Sequence, residues 1–288
     1  MFERLLVAVD GTEASWRGAE VARHVAARLG ASLELVHVVD RPDETLQAER
    51  RLEAELLASP LRDLHPPTAI DVADPTVPAA LARRASESPN TLVVMATHAR
   101  GRSGALFGSV ATDVLDATDG PVMMVGPTVE VDRLDEWDAM VIPADGSALS
   151  EAALGIGGKI ADALSLRPWV VSVSEPADLA ETAVVAADVM DSAYAHRLAL
   201  QLGDQLGREV EFEVLHDRHV GREVARFARQ VGAALVVAST HGRIGIERLL
   251  HGSVAADIVR HAACPVVLIR PAALLEEEPA TTLADERA

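Results

Sequence analysis

Short apolar runs alternate along the chain with longer stretches in which apolar residues recur every three or four positions. In the first half, Leu5–Val9 (LLVAV), Ser32–Val39, Thr68–Val72, Leu92–Ala96 and Val122–Val125 are too short for helices and are predicted as buried strands. Between them, helical periodicity covers Glu13–Leu29 with Gly30 as its stop, Pro42 and Asp43 to about Ser59, Pro75 to about Glu87, and Gly108–Ala117. The second half repeats this order, with strands at Ala139–Pro143, Pro168–Val173, Val210–Leu215, Ala234–Ala238 and Val266–Ile269. Its helical stretches are Leu149–Leu164, Thr182–Leu206, Gly221–Val231 and Ser253–His261. Strands alternating with helices over short loops form right-handed βαβ units and parallel sheets. The predicted fold class is therefore α/β, as two tandem doubly wound five-stranded parallel-sheet domains.

The repetition extends to the residues themselves. Residues 92–125 read LVVMATHARGRSGALFGSVATDVLDATDGPVMMV, and residues 235–269 read LVVASTHGRIGIERLLHGSVAADIVRHAACPVVLI. Each copy is a strand, Thr-His, a glycine-rich loop, Gly-Ser-Val-Ala opening a helix, and a strand led by proline. A repeat of this length divides the chain into two domains. They are placed at 1–127 and 138–271, with a linker at 128–137 and an acidic tail at 272–288 that is expected to be disordered.

Composition narrows the functional classes. A net charge of −18 argues against nucleic acid as a partner, because binding it needs clustered positive charge, and against anionic membrane surfaces. Cys264 is the one cysteine, so no intramolecular disulfide forms, and its apolar setting Ala-Ala-Cys-Pro-Val predicts a buried, inert thiol. No signal peptide precedes the first strand, and no apolar run approaches the ~18 residues that span a bilayer. The expected location is cytoplasmic.

Ligands of open α/β sheets bind beyond the carboxyl ends of the strands, where strand order reverses. The residues expected there are Asp10 and Asp145 after the first strands, Val38 and Val173 at the ends of the second, and Thr97-His98 and Thr240-His241 after the fourth. The glycine loops follow. Backbone N–H groups of such a loop and of the next helix N-terminus can cradle phosphate, and Gly108-Ser109 and Gly252-Ser253 stand where those helices begin. Plainer roles suit the same residues: the Gly-Ser pairs and the two aspartates as helix caps, and the histidines as hydrogen-bonded loop residues.

These motifs resemble those of the universal stress protein family, once in each half. The family's nucleotide-binding signature is glycine, two residues, glycine, nine residues, then glycine with serine or threonine. In the second half, Ser239-Thr240-His241-Gly242, nine residues and Gly252-Ser253 match it, apart from serine at the first glycine. In the first half, Ala96-Thr97-His98-Ala99, eight residues and Gly108-Ser109 depart further. The resemblance implies a Rossmann-like, adenine nucleotide α-hydrolase-like fold and an ATP ligand, alone or with magnesium. It implies that Pro143, Asp145 and Val173 hold adenine and ribose in the second half, and that Ser239, His241, Gly242, Gly252, Ser253, Val254 and Ala255 form the phosphate side. The first-half counterparts are Asp10, Val38, His98, Gly108, Ser109, Val110 and Ala111. It also implies pairing of Val122–Val125 with Val266–Ile269 in an intramolecular pseudo-dimer, with a further homodimer open.

Other chemistry finds no support in the sequence. Gly155-Ile156-Gly157-Gly158-Lys159 falls short of a P-loop, because Ala153 takes the place of its first glycine and Ile160 that of its Ser/Thr. Gly101-Arg102-Ser103-Gly104 lacks the dinucleotide pattern. No histidine and cysteine spacing suggests zinc, and no Gly-x-Ser-x-Gly elbow is present. Neither a Ser-Gly-Gly loop nor a His-x-Gly-His motif supports an adenylating enzyme. Two functions remain: an ATP-binding sensor or regulator in the stress response with at most slow hydrolysis, and a stress-linked interaction protein that no longer binds nucleotide. The altered glycines Ala96, Ala99 and Ser239 motivate the second.

Overall fold

The computed structural model describes residues 1–97, 109–136, 138–174, 181–240 and 253–270; at residues 109, 134, 135, 181–189 and 253 it describes the backbone alone. The first half runs β1 (Arg4–Ala8), α1 (Glu13–Leu29), β2 (Ser32–Val39), α2 (Thr45–Ala58), β3 (Thr68–Val72), α3 (Val77–Ser86), β4 (Thr91–Ala96), α4 (Ser109–Ala117) and β5 (Val122–Val125). The second runs β6 (Ala139–Pro143), α5 (Ala148–Ala163), β7 (Arg167–Ser174), α6 (Glu181–Leu206), β8 (Glu211–His216), α7 (Val220–Gln230), β9 (Ala233–Ser239), α8 (Ser253–His261) and β10 (Val266–Ile269). Pro42 and Asp43 open a short 3-10 turn, Pro42–Glu44, ahead of α2 rather than α2 itself.

All ten strands form one sheet in the order β3-β2-β1-β4-β5-β10-β9-β6-β7-β8. Pairing is parallel within each half and antiparallel at the seam, where Met124, Met123 and Val122 face Val266, Val267 and Leu268. Helices cover both faces. Residues of α1, α2, α5 and α6 pack with one face in a single apolar cluster that crosses the seam, and those of α3, α4, α7 and α8 do so on the other. With both faces covered, the central strands β4, β5, β6, β9 and β10 are apolar at nearly every position, hence their legibility as unbroken runs.

The segment between the halves is docked. Its short 3-10 helix, Val131–Glu136, lies in a run held by Glu130 N–H to Ala263 O at 2.8 Å, Glu130 to Arg229 at 3.1 Å and Thr128 Oγ1 to Ala262 O at 2.7 Å. From α1, the Arg17 guanidinium reaches Pro127 O at 3.0 Å, at the start of this segment, and that of Arg28 reaches Leu164 O at 2.8 Å, joining the halves again.

One contrast between the halves lies under α3 and α7. In the first half, Glu34 accepts from Arg4 Nη1 at 3.0 Å and from Arg84 Nε and Nη2 at 3.0 and 2.6 Å, while Arg84 Nη1 reaches Asp71 at 3.2 Å. Arg4 also donates to Thr91 Oγ1 and to the carbonyls of Arg84 and Ala85. The second half puts Ala139, Trp169, Leu215 and Phe227 at the equivalent places: Glu34 pairs with Leu6 as Trp169 does with Val141, and Asp71 pairs with Val38 as Leu215 does with Val173. There Trp169 and Phe227 meet edge to face, with ring centroids 5.3 Å apart. One scaffold position is filled by an ion network in one copy and by packed aromatics in the other.

Candidate functional site

Strand order reverses between β1 and β4 in the first half and between β6 and β9 in the second, so the crevice for a ligand opens beyond those ends. The chain leaves β1 and β6 through turns of matching geometry. Gly11 and Gly146 both have φ of 81°, a left-handed conformation that glycine adopts without steric cost. Asp10 Oδ1 accepts from Thr12 N–H at 3.0 Å and Thr12 Oγ1 at 2.6 Å; Asp145 Oδ1 accepts from Ser147 at the same two distances. Thr12 and Ser147 then cap α1 and α5, accepting from Ser15 N–H at 3.2 Å and Ser150 N–H at 3.1 Å. The hydroxyls of Ser15 and Ser150 close each turn, accepting from the N–H of Asp10 and of Asp145.

The aspartates therefore do not cap the helices. The left-handed glycine moves the cap two residues downstream and leaves each exposed carboxylate on an Asx turn at the mouth of the crevice. The sequence reading missed Thr12, Ser15, Ser147 and Ser150. Their signal was the repeated Asp-Gly-(Thr/Ser)-x-x-Ser at 10–15 and 145–150.

Val38 and Val173 lie within β2 and β7, one residue before the strand ends, half-buried on the face that carries α4 and α8. Pro143 ends β6 opposite Val171, and Ser239 ends β9 opposite Ile269. Ser109 and Ser253 are the first residues of α4 and α8. Behind them Val110 and Val254 are 42% and 40% exposed, while Ala111 and Ala255 are buried. His98, Gly108, His241, Gly242 and Gly252 lie outside the described residues, as do Ala99 and the Gly101–Gly104 run. The structure thus places the strand-end residues and the helix openings around the two crevices, with the intervening glycine loops outside the description.

Ala96, which replaces the first glycine of the signature, ends β4 and turns toward α1, where its Cβ lies 3.4 Å from the place a Cβ on Gly18 would take. Its methyl is taken up by helix packing, on the face opposite α4. The near P-loop is packing as well: Gly157 and Gly158 sit inside α5, close against Ile142 and Leu202.

The crevice mouths differ in charge. Over Gly11, Arg51 Nη2 stands 2.6 Å from where a Cβ would be; Arg51 Nε donates to Glu55 Oε1 at 2.7 Å, and Trp16 Nε1 donates to Glu55 Oε2 at 3.1 Å. Glu55 raises the Arg51 pKa by hydrogen bond and charge, and Asp10 adds to it. In the second half Tyr194 takes a comparable position; burial first, then the Glu151 charge, pushes its phenol upward. His37, in β2, places Nδ1 2.7 Å from Val9 O; its ring nitrogen must donate there. Among the described residues no group of acidic, histidine or cysteine side chains could hold a metal, and no helix is long and apolar enough to cross a membrane.

Comparison with known proteins agrees with this architecture. The model of the universal stress protein family matches residues 1–126 and again residues 136–270. A universal stress protein of Methanocaldococcus jannaschii is 30% identical over 141 residues, covering 46% of this chain and 82% of that protein. The crystal structure of a universal stress protein from Archaeoglobus fulgidus superposes with a TM-score of 0.65 at 17% identity, covering 93% of this chain and 98% of that one. A putative universal stress protein from Pseudomonas aeruginosa gives 0.63 at 14% identity, covering 96% and 95%. With the family's model matching once in each half, the chain belongs to the universal stress protein family, as a tandem member with two α/β domains.

Proposed function

We propose that this protein binds ATP in the crevices beyond β1 and β6 and acts as a nucleotide-dependent sensor or regulator in the stress response, with little or no hydrolysis. The observation that carries this reading is the duplicated turn. Two Asx turns of matching geometry each present a carboxylate at the strand-order switch point, where a ribose hydroxyl can donate to it. Pro143, Asp145 and Val173 in the second half, and Asp10 and Val38 in the first, would line the adenosine side. Ser239, Ser253, Val254 and Ala255, with Ser109, Val110 and Ala111 in the first half, would flank the phosphates, with His98, Gly108, His241, Gly242 and Gly252 in the glycine loops completing that side. A helix N-terminus at each of Ser109 and Ser253 suits an anion electrostatically. Magnesium, where it takes part, would be carried by the nucleotide's own phosphates. Antiparallel pairing of β5 with β10 supports an intramolecular pseudo-dimer, with a homodimer as a further possibility.

Isothermal calorimetry with ATP, with and without magnesium, tests the reading. Binding that Asp145→Ala weakens supports it; no heat of binding in either condition overturns it. One observation favours the other reading, a stress-linked interaction protein without nucleotide: in the first half the Arg51 guanidinium already stands beside the Asp10 turn. Recovery of ATP from acid-extracted protein would refute that alternative.

A further inference from the structure

The two helices that open at the candidate phosphate sites finish differently. The last carbonyls of a helix lack partners within it, and they form the negative end of its dipole. In α8 the last turn carries its own cation, Arg260, and His261 Nδ1 lies 2.8 Å from Asp257 O, to which it donates. In α4 the last turn contains no basic residue and does contain Asp116. Thr118 serves one α4 carbonyl, its N–H and Oγ1 donating to Val114 O at 2.9 and 2.7 Å. The next two are served by the other half of the protein: Arg270, just past β10, donates from Nη1 to Leu115 O at 3.1 Å and to Asp116 O. The corresponding residue past β5 is Gly126, which has no side chain to give and is pressed against Val259 O of α8.

We propose that Arg270 is a positioning residue for the first-half nucleotide site: the second half supplies the cation that finishes α4, whereas α8 carries Arg260 in its own last turn and receives from outside an uncharged donor, the Thr128 hydroxyl, at Arg260 O (3.2 Å). The inference rests on the ATP reading above. A helix of nine residues is marginal alone, so the group that satisfies its far end also sets how firmly its N-terminal turn is held. The first site is then complete only while the β5–β10 seam is in register, and the second site carries no reciprocal dependence on a cation from the first half.

The test uses the full chain, with hydrogen exchange to follow α4 and α8 separately and calorimetry with ATP to follow binding. In Arg270→Ala, α4 amides should exchange on the order of tenfold faster without ligand while α8 amides hold, and first-site ATP affinity should fall about three- to tenfold with the second site unchanged. Arg270→Lys, which keeps the charge, should recover much of both losses. Unchanged α4 exchange, or equal loss at both sites, overturns the inference. A wild-type chain that takes up no ATP instead refutes the nucleotide reading, and α4 exchange in Arg270→Ala then still decides whether the helix depends on Arg270.

Discussion

Replacing Glu34 by glutamine removes the carboxylate that two guanidinium groups share under α3. The four side chains of this network are between 13% and 24% exposed, so its charges are largely withdrawn from water. Glu34 accepts three charged hydrogen bonds; without its charge, Arg84 keeps Asp71 at 3.2 Å, and Arg4 keeps Thr91 and two carbonyls. Breaking a fully buried pair costs about 3–5 kcal/mol, and the contacts that remain place this substitution at about 2–4 kcal/mol. Urea unfolding should show a lower midpoint at constant slope, and a thermal midpoint lower by roughly 5–10 °C. The second half supplies a complementary arm. Transplanting its residues as Arg4→Ala, Glu34→Trp, Asp71→Leu and Arg84→Phe together should be neutral or stabilising by about 1–4 kcal/mol, since packed apolar groups often equal or exceed a buried ion network. A Glu34→Gln loss below about 0.5 kcal/mol would refute the reasoning, because the network would then behave as exposed pairs do.

Gly126→Ala should destabilise by about 3 kcal/mol in thermal or urea unfolding, since the added Cβ would overlap the Val259 carbonyl. Gly155→Ala, in α5 with open space around it, should instead gain about 0.5–1 kcal/mol, and equal effects at the two positions would discredit the packing argument. Cys264 should resist Ellman's reagent in native protein at pH 8 and react once unfolded, because burial pushes its thiol up to about 12. That group favours the native state while protonated. Its contribution is whole below the unfolded value of roughly 8.5 and is lost as pH rises toward about 12, which urea titrations at pH 7 and 10 will show.

The alternation of strands and helices was legible because parallel strands covered on both faces are apolar almost throughout, as in Leu92–Met95 and Leu235–Ala238. The crevice positions followed from that alternation, since Asp10, Asp145, Thr97 and Thr240 each stand one or two residues past a strand. The identity of the helix caps did not follow. Aspartate, threonine and serine all cap well, and the choice turned on the left-handed Gly11 and Gly146, whose φ no composition rule supplies. The ion network was hidden for another reason. Arg4, Glu34, Asp71 and Arg84 are dispersed along the sequence and meet only through the register of β1, β2 and β3 under α3. Arg270 was hidden likewise, since its partners belong to a helix of the opposite half.

The unequal exits from β5 and β10 have a consequence for how such a molecule can evolve. In an assembly of two identical chains, every residue at the joint occurs on both sides of the axis, so one substitution is made twice and must be tolerated twice. Here one exit needs a residue without a side chain, and the other uses a long cation. No single amino acid meets both demands. Joining the copies in one polypeptide frees each side to change alone, and the glycine–arginine pair is a difference that an assembly of identical subunits could not hold.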